Sequence, residues 1–261
     1  MLIKEITAAL EEFAPLCLQE DYDNAGLITG NPEDEAIGAL FCVDVTEKII
    51  DECTSRGINL IISHHPALFY PIKKINGRTN VEKIIIRAIK NDIAIYAAHT
   101  NLDSTINGVS YRMAEMIGLK NTSVLVSNHK DNRYGFGILG NLDEYTDPKM
   151  FLCSVKNIFN SGTIRHSAID RDSVFHVAVS SGAGGSFIED AINAGADIFI
   201  TADLRYNTFL DAPGRIIVAD IGHFESEYCS IDILYEIVKK NFPNFAAYKS
   251  VNSINPVIYL S

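Results

Sequence analysis

The sequence has no tryptophan, no C-x-x-C pair, few basic residues and no long apolar run. Each absence closes off a class of protein. No stretch reaches the ~18 apolar residues of a membrane span, so no crossing helix is expected. The opening Met1-Leu2-Ile3-Lys4-Glu5 has no basic segment followed by a long apolar one, so a secretory signal is not expected and a cytoplasmic location is. Lys and Arg together number 22 against 33 Asp and Glu, a net charge of −11. Nonspecific nucleic-acid binding neutralises phosphates with Lys and Arg, and is therefore not expected. An acidic chain can still take an anionic ligand if bound metal supplies positive charge. The five cysteines, Cys17, Cys42, Cys53, Cys153 and Cys229, are odd in number and mostly sit beside apolar residues. That disfavours a disulfide framework, a Cys-rich zinc site and a catalytic thiol, and fits a reducing compartment.

What is present is an ordinary globular composition, 47% apolar and 21% charged over 261 residues, enough for one large domain or two small ones. Ile3, Ile6, Leu10 and Phe13 recur at helical spacing and predict an opening amphipathic helix. Residues 21–30 are rich in turn formers and read as a loop. Apolar runs at 37–43, 58–62 and 93–98 read as strands. Helices are expected after Thr46, at about 79–91 and at about 107–117, the last capped by Gly118. This alternation implies parallel βαβ units. The irregular stretch 120–133 reads as a domain joint. Beyond it, strands are expected at 134–140, 163–169, 175–180, 197–200 and 215–220, and helices at about 147–160, 187–194 and 224–240. A final strand is expected near 256–260.

The residues with chemistry come directly after the apolar strands. Ser63-His64-His65-Pro66 follows the second, where open α/β sheets bind ligands. The pair could serve one or two metals, or form an exposed polar turn. His99-Thr100-Asn101-Leu102-Asp103 follows the third strand, and Asp103 reads as a hard oxygen ligand, as a cap for the helix at 107 or as a turn residue. His223 and Glu227 are four apart, which on a helix puts both on one face, as a metal pair or as a solvated polar face. Together, three imidazoles and two carboxylates at strand ends exceed one open tetrahedral site and suit two metals sharing a bridging carboxylate. With no Cys donor, the set suits zinc, iron, manganese or a similar divalent ion. Residues 181–186 form a Gly-rich turn that could cradle phosphate, although it matches no phosphate-loop pattern and a tight turn is the favoured reading. Asp44 is a candidate base or partner to a ligand, or a residue of the N-cap region of the helix after Thr46. His129, His166 and His176 read as surface or satisfied core histidines.

The motifs Asp23-Asn24-Ala25-Gly26-Leu27, Ser63-His64-His65-Pro66, His99-Thr100-Asn101-Leu102-Asp103, Gly182-Ala183-Gly184, Thr201-Ala202-Asp203 and Gly222-His223-Phe224-Glu225-Ser226-Glu227, in this order, resemble the NIF-three-like family, labelled in many genomes type 2 GTP cyclohydrolase I or dinuclear metal centre protein. The resemblance implies His64, His65, Asp103, His223 and Glu227 as ligands of two divalent metal ions, with Glu227 bridging. It implies an α/β fold of two domains with mostly parallel βαβ units, the second inserted into the first: a metal-binding domain at 1–125 and 222–261, and an inserted domain at 126–221. It implies a homo-oligomer, a hexamer with the sites facing an internal cavity, and a small-molecule or nucleotide substrate. His99 and Asp44 are the catalytic candidates, and Asn24, Gly184 and Asp203 the substrate-binding ones. Two functions are expected to compete: a metal-dependent hydrolase, GTP cyclohydrolase-like by resemblance, and a non-catalytic metal-binding or interaction scaffold. Three positions depart from the family pattern. Tyr22 stands for the usual Trp, Ala202 for a Gly, and Asn207 for a His found in many members.

Overall fold

The computed structural model describes residues 1–128 and 131–260. The chain forms two compact units, Met1–Thr105 with Ser230–Ile254, and Ile106–Cys229 with Asn255–Ser261. The second thus has two segments, one on either side of Ser230–Ile254 in the sequence.

In the first unit the opening helix α1 (Ile3–Phe13) buries Ile3, Ile6 and Leu10, the residues whose spacing predicts it. Strand β1 (Gly26–Thr29) lies within the segment that reads as a loop. Turn residues flank it and only its first residue is buried, so it carries no apolar signature of its own. Strands β2 (Ala39–Cys42), β3 (Leu60–Ser63) and β4 (Ala94–Ala97) are buried at every position. Such continuous burial is what a parallel sheet covered on both faces requires. The order is β1-β4-β3-β2 followed by Ala247–Lys249, with only the β1–β4 pairing antiparallel. Helix α2 (Glu47–Ser55) starts where Thr46 accepts a hydrogen bond from Ile49 N–H. Helix α3 (Asn80–Lys90) starts where Thr79 accepts one from Glu82 N–H. Their Ile49, Ile50, Cys53, Ile84 and Ala88 pack with Leu40, Ile61 and Ile95 of the strands. A short helix, α4 (Thr100–Ser104), follows β4.

The second unit opens with α5 (Val109–Ile117), ended by Gly118 at φ +87° as expected. The stretch that reads as a joint is largely a strand, β5 (Lys120–Ser127), paired antiparallel with β6 (Gly135–Thr146). The first four positions of β5 are solvent-exposed, so Lys120, Asn121, Thr122 and Ser123 hide the strand from an apolar pattern. Helix α6 (Pro148–Ile158) is capped by Asp147. Strands β7 (Arg165–His166), β8 (Val174–Val179), β9 (Ile198–Thr201) and β10 (Ile217–Asp220) complete a sheet of order β5-β6-β8-β9-β10-β7. Here β8, β9 and β10 are parallel and the flanking pairings antiparallel, so the parallel character is confined to three strands. Helices α7 (Ile188–Asn193), α8 (Tyr206–Asp211) and α9 (His223–Glu227) are short. The chain returns through α10 (Cys229–Asn241) to the last strand, β11 (Ala247–Lys249). No strand forms at 256–260 among the described residues. Pro256 lacks an N–H, and Ile258 and Leu260 stand almost wholly in solvent.

Candidate metal-binding residues

In the first unit, Cys42, Ser63 and Ala97 are aligned across β2, β3 and β4, so the three parallel strands end together. The ladder runs on a little further. His64 N–H donates to the Cys42 carbonyl, His65 N–H to Val43, and Ala98 N–H to Ser63. The backbone carrying the two histidines is therefore as fixed as the sheet. His64 is fully buried, and its Nδ1 lies 2.8 Å from the Ala98 carbonyl oxygen. A carbonyl only accepts, so Nδ1 carries the proton and Nε2 the lone pair. That Nε2 is 3.8 Å from Asp103 Oδ2. His65 Nδ1 lies 2.8 Å from Asp44 Oδ1, which fixes the same tautomer. The rings of His64, His65 and His99 stand 5.1–5.4 Å apart, centroid to centroid.

The motif around His99 has a use for each residue. His99 Nδ1 is 2.7 Å from Asp23 Oδ1, and Thr100 gives Asp23 both its N–H and its hydroxyl. Asn101 accepts from His99 N–H and donates to the Ala14 carbonyl. Leu102 is buried, and Asp103 lies in α4 facing His64. The cap reading of Asp103 fails, because the residue before α5 is Gly108. Asp23 has no exposed side-chain surface. Burial works against its charge, but the bonds from His99 and Thr100 outweigh it and pull its carboxyl down to about 2. In the sequence Asp23 opens the Asp23-Asn24-Ala25-Gly26-Leu27 motif but has no role assigned to it. Asn24 in turn donates from Nδ2 to the Leu68 carbonyl, which holds the loop after Pro66.

In the second unit, β8, β9 and β10 also end together, with Thr201 beside Asp220. His223 opens α9, with Nδ1 2.8 Å from Asp203 Oδ2 and Nε2 3.0 Å from Glu227 Oε2. The four-residue spacing thus does place His223 and Glu227 side by side. Asp203 sits at φ +55°, Gly222 at +97° and Gly182 at +56°, all in the left-handed region. Asp220, buried and also unremarkable in the sequence, holds these turns. One carboxylate oxygen accepts from Gly222 N–H and the other from Leu204 N–H and Arg165. A side chain at Gly182 would collide with the Glu227 carboxylate. Gly182 N–H donates to Ser226 Oγ, and Gly184 N–H to Thr201 Oγ1. Those two hydrogens are thereby withheld from a phosphate, and the tight-turn reading of 181–186 accounts for both glycines.

Of the five proposed ligands, His64, His65 and Asp103 belong to the first unit, and His223 and Glu227 to the second. His166 and His176 are exposed, as expected, while His129 lies outside the described residues. Burial pushes the Cys53 thiol up to about 12, and Cys42 is also raised, so neither is a thiolate at neutral pH. Among the described residues no helix is long and apolar enough to cross a membrane.

The chain is thus of the α/β class, with imidazole and carboxylate groups placed directly after the parallel strands of each unit. The model of the Duf34/NIF3 (NGG1p interacting factor 3) family matches residues 1–256, and the chain belongs to that family. A Clostridium acetobutylicum protein named GTP cyclohydrolase 1 type 2 homolog is 34% identical over 234 residues, 89% of this chain and 87% of its own length. A Clostridium perfringens protein of the same name is 32% identical over 92% of both chains. The crystal structure of a Bacillus cereus protein related to NIF3 superposes with a TM-score of 0.91 at 25% identity, over 100% of this chain and 99% of that one. Reduced HcgD from Methanocaldococcus jannaschii superposes with a TM-score of 0.80 at 28% identity, over 95% and 97%.

Proposed function

We propose that this chain binds two divalent metal ions and acts as a metal-dependent hydrolase on a nucleotide or related small molecule. The observation that carries the reading is the anchoring of the histidines. His64, His65 and His223 each have Nδ1 bound to a fixed acceptor, Ala98, Asp44 and Asp203. This is how metal-binding imidazoles are oriented: the anchored nitrogen sets the tautomer and leaves Nε2 as the donor. His64 and His65 each offer one imidazole nitrogen, and Glu227 a carboxylate oxygen, as a metal donor. In the full proposal, Asp103 and His223 join them and Glu227 bridges. A neutral imidazole and carboxylate set with no thiolate suits a divalent first-row ion.

When bound, such ions polarise a substrate and lower the pKa of bound water. The chain's own residues do the rest. His99, with Nδ1 held by Asp23, presents Nε2 to accept a proton. Asp44 is engaged with His65, so its part is to hold that ring. Elemental analysis of untagged, chelator-free protein is the first test. About two metals per chain are expected; less than about half a metal, not restored by added divalent ions, overturns the reading. Glu227→Gln is expected to lose metal from both positions, and Asp103→Asn mainly from one. Asn207, exposed where many members have His, favours a second reading, a non-catalytic metal-binding scaffold. Fully loaded protein that turns over nothing in a nucleotide panel selects that one.

A further inference from the structure

The imidazole cluster of the first unit continues outward as aromatic carbon. The Phe69 ring meets His99 edge-on at 5.9 Å, Tyr70 edge-on at 4.8 Å, and Tyr22 at 6.4 Å. Phe69 is half-buried, while Tyr22 and Tyr70 are 65% and 75% exposed. Large exposed rings lose favourable burial unless something covers them. The loop that carries Phe69 and Tyr70 leaves directly from His65 and is pinned by the Asn24–Leu68 bond. It goes on to Lys73, Lys74 and Arg78, all exposed. Their side chains make no ion pair among the described residues, in a chain whose net charge is −11.

We propose that Tyr22, Phe69 and Tyr70 form a stacking rim at the mouth of the histidine site that takes a planar conjugated ring, and that the cations of the same loop take an anionic group attached to that ring. The occupant is thus a small molecule of the nucleoside monophosphate type. The inference rests on the metal-centre reading for what lies at the rim's inner end. Rings stack on aromatic faces with little regard to their substituents, so the rim selects planarity rather than one base. Tyr22 and Tyr70 set specificity here and need not touch the reacting atoms.

The absence of tryptophan supplies the reporter: Tyr22→Trp gives the full chain a single tryptophan at the rim. Zinc content is measured first, and the loaded protein is titrated with AMP, adenosine and ribose 5-phosphate. AMP is expected to change the emission saturably and to bind at least tenfold more tightly than either fragment. Calorimetry on the chain with Tyr22 intact is expected to show Tyr70→Ala weakening AMP about tenfold and ribose 5-phosphate less than twofold. Lys73→Gln with Lys74→Gln is expected to weaken both phosphates alike. Equal binding of AMP and ribose 5-phosphate, no AMP binding at millimolar concentration, or indifference to Tyr70→Ala overturns the proposal. An emission change that follows protein concentration alone also overturns it, because a second copy then covers the rim. If zinc does not bind but AMP still discriminates in this way, the rim stands and the metal centre falls.

Discussion

The two units solve one problem in different ways. Each brings three parallel strands to a common end and hangs its chemistry there. In the first unit the sheet does the holding. His64 and His65 extend the hydrogen-bond ladder by ordinary backbone geometry, and His64 is fully buried. In the second, turns do it. Asp203, Gly182 and Gly222 all have positive φ, and the His223 side chain is 36% exposed. A ladder tolerates change at single residues, because neighbouring bonds keep the register. A set of left-handed turns depends on each residue that adopts the conformation and on the groups that pin it.

The sharpest way to break this contrast is Gly182→Ala. The new Cβ meets the Glu227 carboxylate, and alanine disfavours φ +56°. Strain and overpacking together are expected to cost roughly 3 kcal/mol. Chemical denaturation reads this directly, and metal content is expected to fall with it. Ala98→Gly at the first edge removes only a methyl group and leaves the backbone acceptor of His64. Equal losses in the two variants would remove the contrast.

Asp220→Asn comes next. The buried carboxylate receives hydrogen bonds from Leu204 and Gly222 as well as Arg165. An amide retains one acceptor oxygen, so one turn loses its pin. A loss of about 2 kcal/mol is expected, mostly from the backbone donors, because the Arg165 side chain is 56% exposed and its ion pair is screened. If His223 depends on this pin, zinc affinity falls in Asp220→Asn by more than the stability loss alone accounts for.

Asp23 tests the first edge by pH. Its folded carboxyl is pulled to about 2 from an ordinary 3.8. A depressed value means the charged form is favoured by folding. The contribution is therefore complete above about pH 4 and is lost as pH falls toward 2. Asp23→Asn is expected to lower stability at pH 7 by roughly 1–2 kcal/mol and to flatten the acid limb of the stability curve between pH 4 and 2. An unchanged acid limb breaks the assignment.

The sequence shows the first edge more plainly than the second for the same physical reason. Buried parallel strands are written as apolar runs, so the polar residues immediately after them are conspicuous: the histidines at 63–66 and 99–103 stand out by position alone. The edge strands β1 and β5, with their exposed or half-buried residues, carry no such run, and pattern alone makes one a loop and the other a joint. Asp23 and its partners His99 and Thr100 stand in two motifs about 76 residues apart that no spacing rule joins, and Asp220 ends a buried strand, where its bonds from Leu204, Gly222 and Arg165 leave no mark in the sequence. The Gly-rich turn leaves phosphate open beside the favoured tight turn, because a pattern of glycines shows where Cβ is excluded but not which group excludes it. Here the excluding groups are Glu227 and Thr201.

The smallest expected effect is at Asn207, exposed at the start of α8. Asn207→His is expected to change stability by less than about 0.5 kcal/mol, as for an exposed position with no packing or cap role. Its value lies in the activity assay. If the histidine of other members moves protons, the substitution raises turnover of any substrate found in the nucleotide panel and adds a limb near pH 6–7, where an imidazole titrates. If turnover and pH profile stay as they were, proton transfer belongs to the first unit, and His99 held by Asp23 is the group to change next.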